Sequence, residues 1–323
     1  MSGKTTFRTN GAVGFGALLE TMRIPHWIKN AFVVAPILFS GQFICGWAWI
    51  RCLAALISFC LLSSAAYLIN DVADRKSDKM HPVKRNRPIA SGRVSPGVAA
   101  VSAIVLIIVA LVLAAWVTWV NYGPDVMFRR AGLLVWAFAY LVLNLLYSMR
   151  LKSVVILDVI IVALGFVIRA VAGAAAITVP ISPWLVVCTF TICLFIALCK
   201  RRSEIQDLHP EEFRVTRKTN RAYDLPFIEY MLGVSGSMAI LTYSIYTLAP
   251  QTVQRIGSPH MIWTIPLVVY GMFRYYLITS RGGQGDPVVV LLRDKRMWVV
   301  MLAFVALSGL ILKYGSHPAV MPR

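Results

Sequence analysis

Four residues in one short stretch, Asn70, Asp71, Asp74 and Asp78, have the types and spacing that a hard divalent cation needs. The aspartates are three and then four positions apart. On a helix, at about 100° per residue, their side chains therefore share one face. Mg2+ takes a few protein carboxylates and completes its shell with water and phosphate oxygens. Asn70 adds a neutral oxygen beside them. Lys84, Arg85 and Arg87 follow at once, with Pro88 and Gly92 shaping a turn. Acids able to hold a metal next to bases able to hold phosphate describe a metal–polyphosphate site. A solvated helix end would explain the acids alone, and setting the membrane orientation would explain the bases alone. The two together favour the site.

A second set of polar residues runs Tyr147, Arg150, Lys152 and then Asp158, with Arg169 eleven positions further on. Eleven residues bring Arg169 back to nearly the same helix face as Asp158, about 16 Å away along the axis. Gly165 shares that face. An ionisable group within a membrane span costs several kcal/mol unless it is paired, so both are functional candidates. Arg169 has three readings: a substrate contact, a pairing with an interior acceptor, or snorkelling outward. Lys29 at the start of the first span, and Lys200 with Arg201 at the end of the sixth, flank the same mouth. The assignment from sequence is therefore Asp71, Asp74 and Asp158 as catalytic, and Asn70, Asp71, Asp74 and Asp78 as metal ligands. Lys29, Asn70, Asp78, Lys84, Arg85, Arg87, Tyr147, Arg150, Lys152, Arg169, Lys200 and Arg201 are assigned to substrate. Arg202, Arg217, Lys218, Arg221, Arg293 and Lys295 read as interface anchors, as does His26.

The elements that must position these groups are membrane helices. The chain has 323 residues, 58% hydrophobic and only 14% charged, against about 45–50% and 25% in ordinary soluble domains. The apolar residues form blocks of about 20, the length that crosses a bilayer. About nine spans are expected, at 27–45, 50–69, 97–121, 131–148, 153–176, 183–199, 226–248, 259–277 and 297–313. No cleavable leader is apparent, and residues 1–25 are expected to stay in the cytoplasm. The polar connections 70–96, 149–152, 200–225 and 278–296 then lie on the cytoplasmic side with 25 of the 32 Lys and Arg residues, the positive-inside bias. That distribution explains the net charge of +18 and excludes nucleic acid as its cause. The six cysteines form no CxxC pair and read as buried thiols, with a Cys45–Cys52 disulfide as the other option. The five histidines do not cluster at metal-ligand spacing. One all-α membrane-embedded domain over 1–323 is expected.

The residues alone describe an intramembrane enzyme that ionises a C–O bond to a Mg2+-bound diphosphate and joins the fragment to an acceptor, a lipid being favoured. No Ser-His-Asp or Cys-His arrangement supports hydrolysis. A transporter or scaffold is the alternative from another class. It requires the acidic run to be dispensable.

NDVADRKSD resembles the NDxxDxxxD first motif of the UbiA-type prenyltransferase superfamily, a helical-bundle membrane fold. The usual second acidic motif is reduced here to the lone Asp158. Further stretches, RIPHWIKN from Arg23, HPVKRNRPIASG, Leu151-Lys152, IRAVAGA from Ile168, Lys200-Arg201 and LRDK from Leu292, are similar to the polyprenyl-phosphate (decaprenyl-phosphate type) phosphoribosyltransferase branch. The resemblance implies a glycosyltransferase using 5-phosphoribosyl 1-diphosphate, Mg2+ and a polyprenyl phosphate. Its product would feed arabinan synthesis for the cell envelope from the cytoplasmic face of a bacterial plasma membrane. Asp158 would then bind either the ribose hydroxyls or a metal. A prenyl diphosphate joined to a small aromatic acceptor is the superfamily's other chemistry. A homo-oligomer is compatible with the sequence.

Overall fold

In a computed structural model the described residues are 10–39, 42, 45–82, 84–123, 132–206, 223–281 and 294–314. Arg217, Lys218, Arg221, Leu292 and Arg293 lie outside them. The described residues form helices joined by turns, with no strand among them. α1 (Asn10–Met22) leads into a 3-10 segment (Ile24–Val33) and the short α2 (Ala35–Phe39). α3 (Gly46–Ala73) and α4 (Arg75–Met80) follow, then α5 (Pro96–Tyr122), α6 (Leu133–Met149), α7 (Leu157–Ala176) and α8 (Pro183–Gln206). α9 (Leu225–Leu248), α10 (Pro250–Ile256), α11 (Ile265–Ser280) and α12 (Lys295–Tyr314) complete the set.

Among the described residues, seven helices are long and apolar enough to cross a membrane: α3, α5, α7, α8, α9, α11 with its leading 3-10 turn, and α12. α6 is apolar over 17 residues and falls just short of that length. The expected first span, 27–45, differs most: it is a ten-residue 3-10 stretch followed by the five-residue α2. The second span is longer than expected, because its helix continues without a break through Asn70 and Asp71. With these helices, the chain is a multi-pass membrane protein.

Local sequence sets the boundaries on the polar side. Ser95 accepts a hydrogen bond from the Val98 amide and Pro96 occupies the first turn of α5. Asp224 caps α9 through the Phe227 amide at 2.8 Å, again with proline in the first turn. Such caps satisfy amides that have no partner within the helix. Between α3 and α5 the contact is made by small side chains: Ala54, Ala55, Ala103, Ala110 and Ala114 are buried. Small side chains let backbones approach closely in a membrane, and Ser58 donates across the gap to the Ala110 carbonyl at 2.8 Å. The outer surface of α5 exposes Val101, Ile104, Ile108 and Val112, an apolar face suited to lipid. α3 is central: 61% of its apolar stretch is buried, against 22% for α5.

Two large buried clusters join the helices. Phe59, Leu62, Val117, Leu133, Tyr140 and Ala172 join α3, α5, α6 and α7. Val159, Phe195, Leu198, Ile228, Leu232 and Met272 join α7, α8, α9 and α11. α7 belongs to both and ties the halves together. All six cysteines carry free thiols and only Cys45 is exposed, so the Cys45–Cys52 bridge is absent.

Candidate active site

The acidic run lies where α3 ends and α4 begins. Asp74 is the hinge residue: its amide bonds the Asn70 carbonyl and its own carbonyl accepts from the Asp78 amide, both at 2.8 Å. Helix resumes immediately after Asp74, so the run stays helical through Asp78.

Each aspartate meets a cation from elsewhere. Asp71, 2% exposed, is held at Oδ1 by Arg23 at 2.8 Å and by Arg87 at 3.2 Å. The same Arg87 nitrogen reaches Asp78 Oδ2 at 2.8 Å. Lys152 Nζ lies 2.5 Å from Asp74 Oδ1 and 3.3 Å from Asn70 Oδ1. Asn70 Nδ2 donates to the other Asp74 oxygen at 3.1 Å. The ligand oxygens thus converge in two pairs, each on one cationic nitrogen. Among the described residues no group of three His, Cys, Asp or Glu side chains closes into a metal cage. A set of hard oxygens that already focuses on positive charge, with some ligand positions left to others, suits Mg2+ bound together with phosphate. Asn70, Asp71, Asp74 and Asp78 are the residues that the sequence assigns to such an ion.

Asp158 is fully buried in the first turn of α7 and pairs elsewhere. Tyr223 OH donates to its Oδ1 at 2.8 Å. Arg201 Nε lies 2.9 Å from Oδ2, close enough for an ion pair but not aligned as a hydrogen bond. Arg201 also pairs with Glu204. Tyr223 accepts from the Ile156 amide at 2.7 Å, and Ile156 has φ 69°, a costly conformation for a β-branched residue. One tyrosine therefore holds both the strained entry to α7 and the carboxylate just inside it. Burial and the neighbouring Asp158 carboxylate push the Tyr223 phenol well above the usual tyrosine range, so it remains a hydrogen-bond donor.

The remaining expected residues fall into two groups. Lys84, Tyr147 and Lys200 are half-buried and Arg85 and Arg150 exposed, at the same end of the bundle. Lys200 lies 3.9 Å from Glu204. Lys29 is half-buried on the 3-10 segment. Arg169 stays deep. Its Nε donates to Asn30 Oδ1 at 2.7 Å, one terminal nitrogen to the Gly165 carbonyl at 2.9 Å and the other to Tyr140 OH at 2.6 Å. Interior acceptors satisfy it, and it touches none of the four proposed metal ligands.

Arg23, Asn30, Tyr140, Tyr223 and Glu204 are contacts that reading the sequence alone does not assign. Arg23 stands 48 positions before Asp71, beyond the reach of any periodicity. Its one local signal is Pro25, in the first turn of the 3-10 segment that Arg23 precedes.

The UbiA prenyltransferase family model matches residues 32–300. The chain belongs to the UbiA prenyltransferase family. A relative in Mycolicibacterium smegmatis named decaprenyl-phosphate phosphoribosyltransferase is 29% identical, over 90% of this chain and 91% of the relative. One of the same name in Corynebacterium glutamicum is also 29% identical, covering 89% and 84%. Among solved structures, a UbiA homologue from Archaeoglobus fulgidus bound to GPP and Mg2+ superposes with a TM-score of 0.69. It shares 16% identity and covers 92% of this chain and 99% of its own. That likeness carries the UbiA fold; in this chain the acidic run begins at the end of α3, the longest and most buried of the spanning helices.

Proposed function

We propose that this member of the UbiA family transfers 5-phosphoribosyl from 5-phosphoribosyl 1-diphosphate to a polyprenyl phosphate of the decaprenyl type. Diphosphate leaves, and the product is polyprenyl-phosphoryl 5-phosphoribose. The observation that carries this reading is the near-full-length similarity to two relatives of that name. The geometry supports it. Arg23, Arg87 and Lys152 all reach the acidic run, and this reaction brings a 5-phosphate, a diphosphate and a lipid phosphate to one mouth.

In the reaction an oxygen of the lipid phosphate forms the bond to C1 of the ribose, and the C1–O bond to diphosphate breaks with its electrons going to the diphosphate. A phosphate monoester is largely ionised at neutral pH, so no strong base is required. Mg2+, held by Asn70, Asp71, Asp74 and Asp78, would supply charge neutralisation for the diphosphate. Arg87 and Lys152 would turn from the carboxylates to phosphate oxygens. Their work is positioning and charge stabilisation. The buried Asp158 would keep Arg201 fixed at the edge of the mouth. The site would face the cytoplasm of a bacterial plasma membrane, and the product would serve lipid-linked arabinofuranose synthesis.

The test is to incubate purified protein in lipid nanodiscs with radiolabelled 5-phosphoribosyl 1-diphosphate and decaprenyl phosphate, with Mg2+ or with EDTA. A labelled, lipid-extractable product that requires Mg2+ is expected. Absence of that product, with transfer from a prenyl diphosphate to an aromatic acceptor instead, would overturn the reading in favour of the wider family chemistry.

A further inference from the structure

The 3-10 segment Ile24–Val33 is ten residues long. Such helices rarely persist beyond three or four residues, because their hydrogen bonds are poorly aligned. A longer one needs outside support, and this one has it along a single edge. At three residues per turn, Trp27, Asn30 and Val33 line up, and each meets the bundle. Trp27 Nε1 donates to Ser64 Oγ at 2.9 Å. Asn30, fully buried, donates to Ser63 Oγ at 3.1 Å and accepts from Arg169. Val33 is fully buried, and its carbonyl lies so close to Gly173 of α7 that an added Cβ would be 1.9 Å away. Ile24, one turn before Trp27 on the same row, and Ile28, off it, are each 40% exposed.

Arg169 is the strongest of these supports and the hardest to explain otherwise. It carries a full charge inside a membrane span, and among the described residues no carboxylate pairs with it. Its fork spans three elements: Asn30 on the 3-10 segment, Tyr140 on α6 and Gly165 on α7. The guanidinium also lies over the Tyr140 and Phe166 rings. At the other end of the same 3-10 segment stands Arg23, in a left-handed conformation (φ 53°, ψ 48°). It lies over the Tyr67 ring at 4.7 Å and ion-pairs with Asp71, one turn further along α3.

We infer that Arg169 is a positioning residue: by fixing Asn30 it sets the register of the 3-10 segment and so places Arg23 on Asp71 at the diphosphate site. A lysine cannot replace it, because a single ammonium does not reproduce the planar fork. The inference rests on the acidic run being a diphosphate site, and it does not depend on which group the donor carries.

The probe is therefore inorganic diphosphate with Mg2+, its Kd measured by calorimetry on full-length protein in nanodiscs, for wild type, R169K, R23A and the double variant. R169K is expected to weaken diphosphate binding about tenfold, and in the R23A background to change it less than about twofold, since interacting sites are non-additive. An independent loss in the R23A background, or no loss in R169K, overturns the inference. If R169K does not yield folded protein, N30S removes the Arg169 acceptor and is read by the same criteria. Wild-type protein that does not bind diphosphate at all would overturn the site reading itself, an outcome distinct from both.

Discussion

Lys152 and Asp74 are 78 positions apart and meet as an ion pair that joins the start of the α6–α7 connection to the hinge between α3 and α4. Lys152 also contacts Asn70, so one ammonium spans two of the proposed metal ligands. It ties the polar end of α3 to the connection that leads into α7.

Lys152→Met is accordingly expected to lower kcat/KM for the phosphoribosyl donor about a hundredfold, the usual cost of losing one charged donor at a developing anion. Steady-state kinetics with labelled donor check this. The loss should appear when the donor is varied. The apparent KM for polyprenyl phosphate should move much less.

Asp158 and Arg201 form a buried pair, 0% and 7% exposed. Removing one side leaves an uncompensated charge. Arg201→Met is expected to destabilise the folded protein by about 3–5 kcal/mol, and Arg201→Met with Asp158→Asn to recover part of that loss. Thermal unfolding in detergent measures both. With Asp158→Asn measured alone, single-variant losses that add up to the loss of the double variant would show that the pair does not couple.

Gly173 allows α7 to touch the Val33 carbonyl. Gly173→Ala forces backbone apart and is expected to cost about 1–3 kcal/mol or more. Gly97, in the first turn of α5, has nothing within 4 Å of a Cβ. Gly97→Ala should therefore leave the melting temperature unchanged or slightly higher. Comparing the two melting temperatures isolates the close approach from the generic effect of replacing glycine.

Much of this architecture was legible in the residues because two periodicities govern it. Apolar blocks of membrane length account for the long helices, and the seven-residue spacing of Asp71 and Asp78 accounts for their meeting on one cation. Lys84, Arg85 and Arg87 pointed to cations near the acids, and Arg87 does reach two of them. The sequence was silent where contacts are long-range or the backbone departs from regular form. Nothing local pairs Arg23 with Asp71, or Tyr223 with Asp158. The first span read as an α-helix because its composition is apolar. Its actual form depends on the edge of Trp27, Asn30 and Val33 finding Ser64, Arg169 and α7, which only the assembled bundle supplies. Arg169 illustrates the same limit: its depth was readable from position, its neutral acceptors were not.

The unusual start of the chain also changes how far a few residues can reach. A 3-10 helix rises about 2.0 Å per residue and an α-helix about 1.5 Å. Ten residues of the first and five of the second, laid end to end, extend about 27 Å, close to the roughly 30 Å hydrocarbon thickness. The same fifteen residues as α-helix would reach only about 22 Å. Tight winding thus lets a short stretch nearly match a bilayer, and its smaller girth lets α7 lie against it through Gly173.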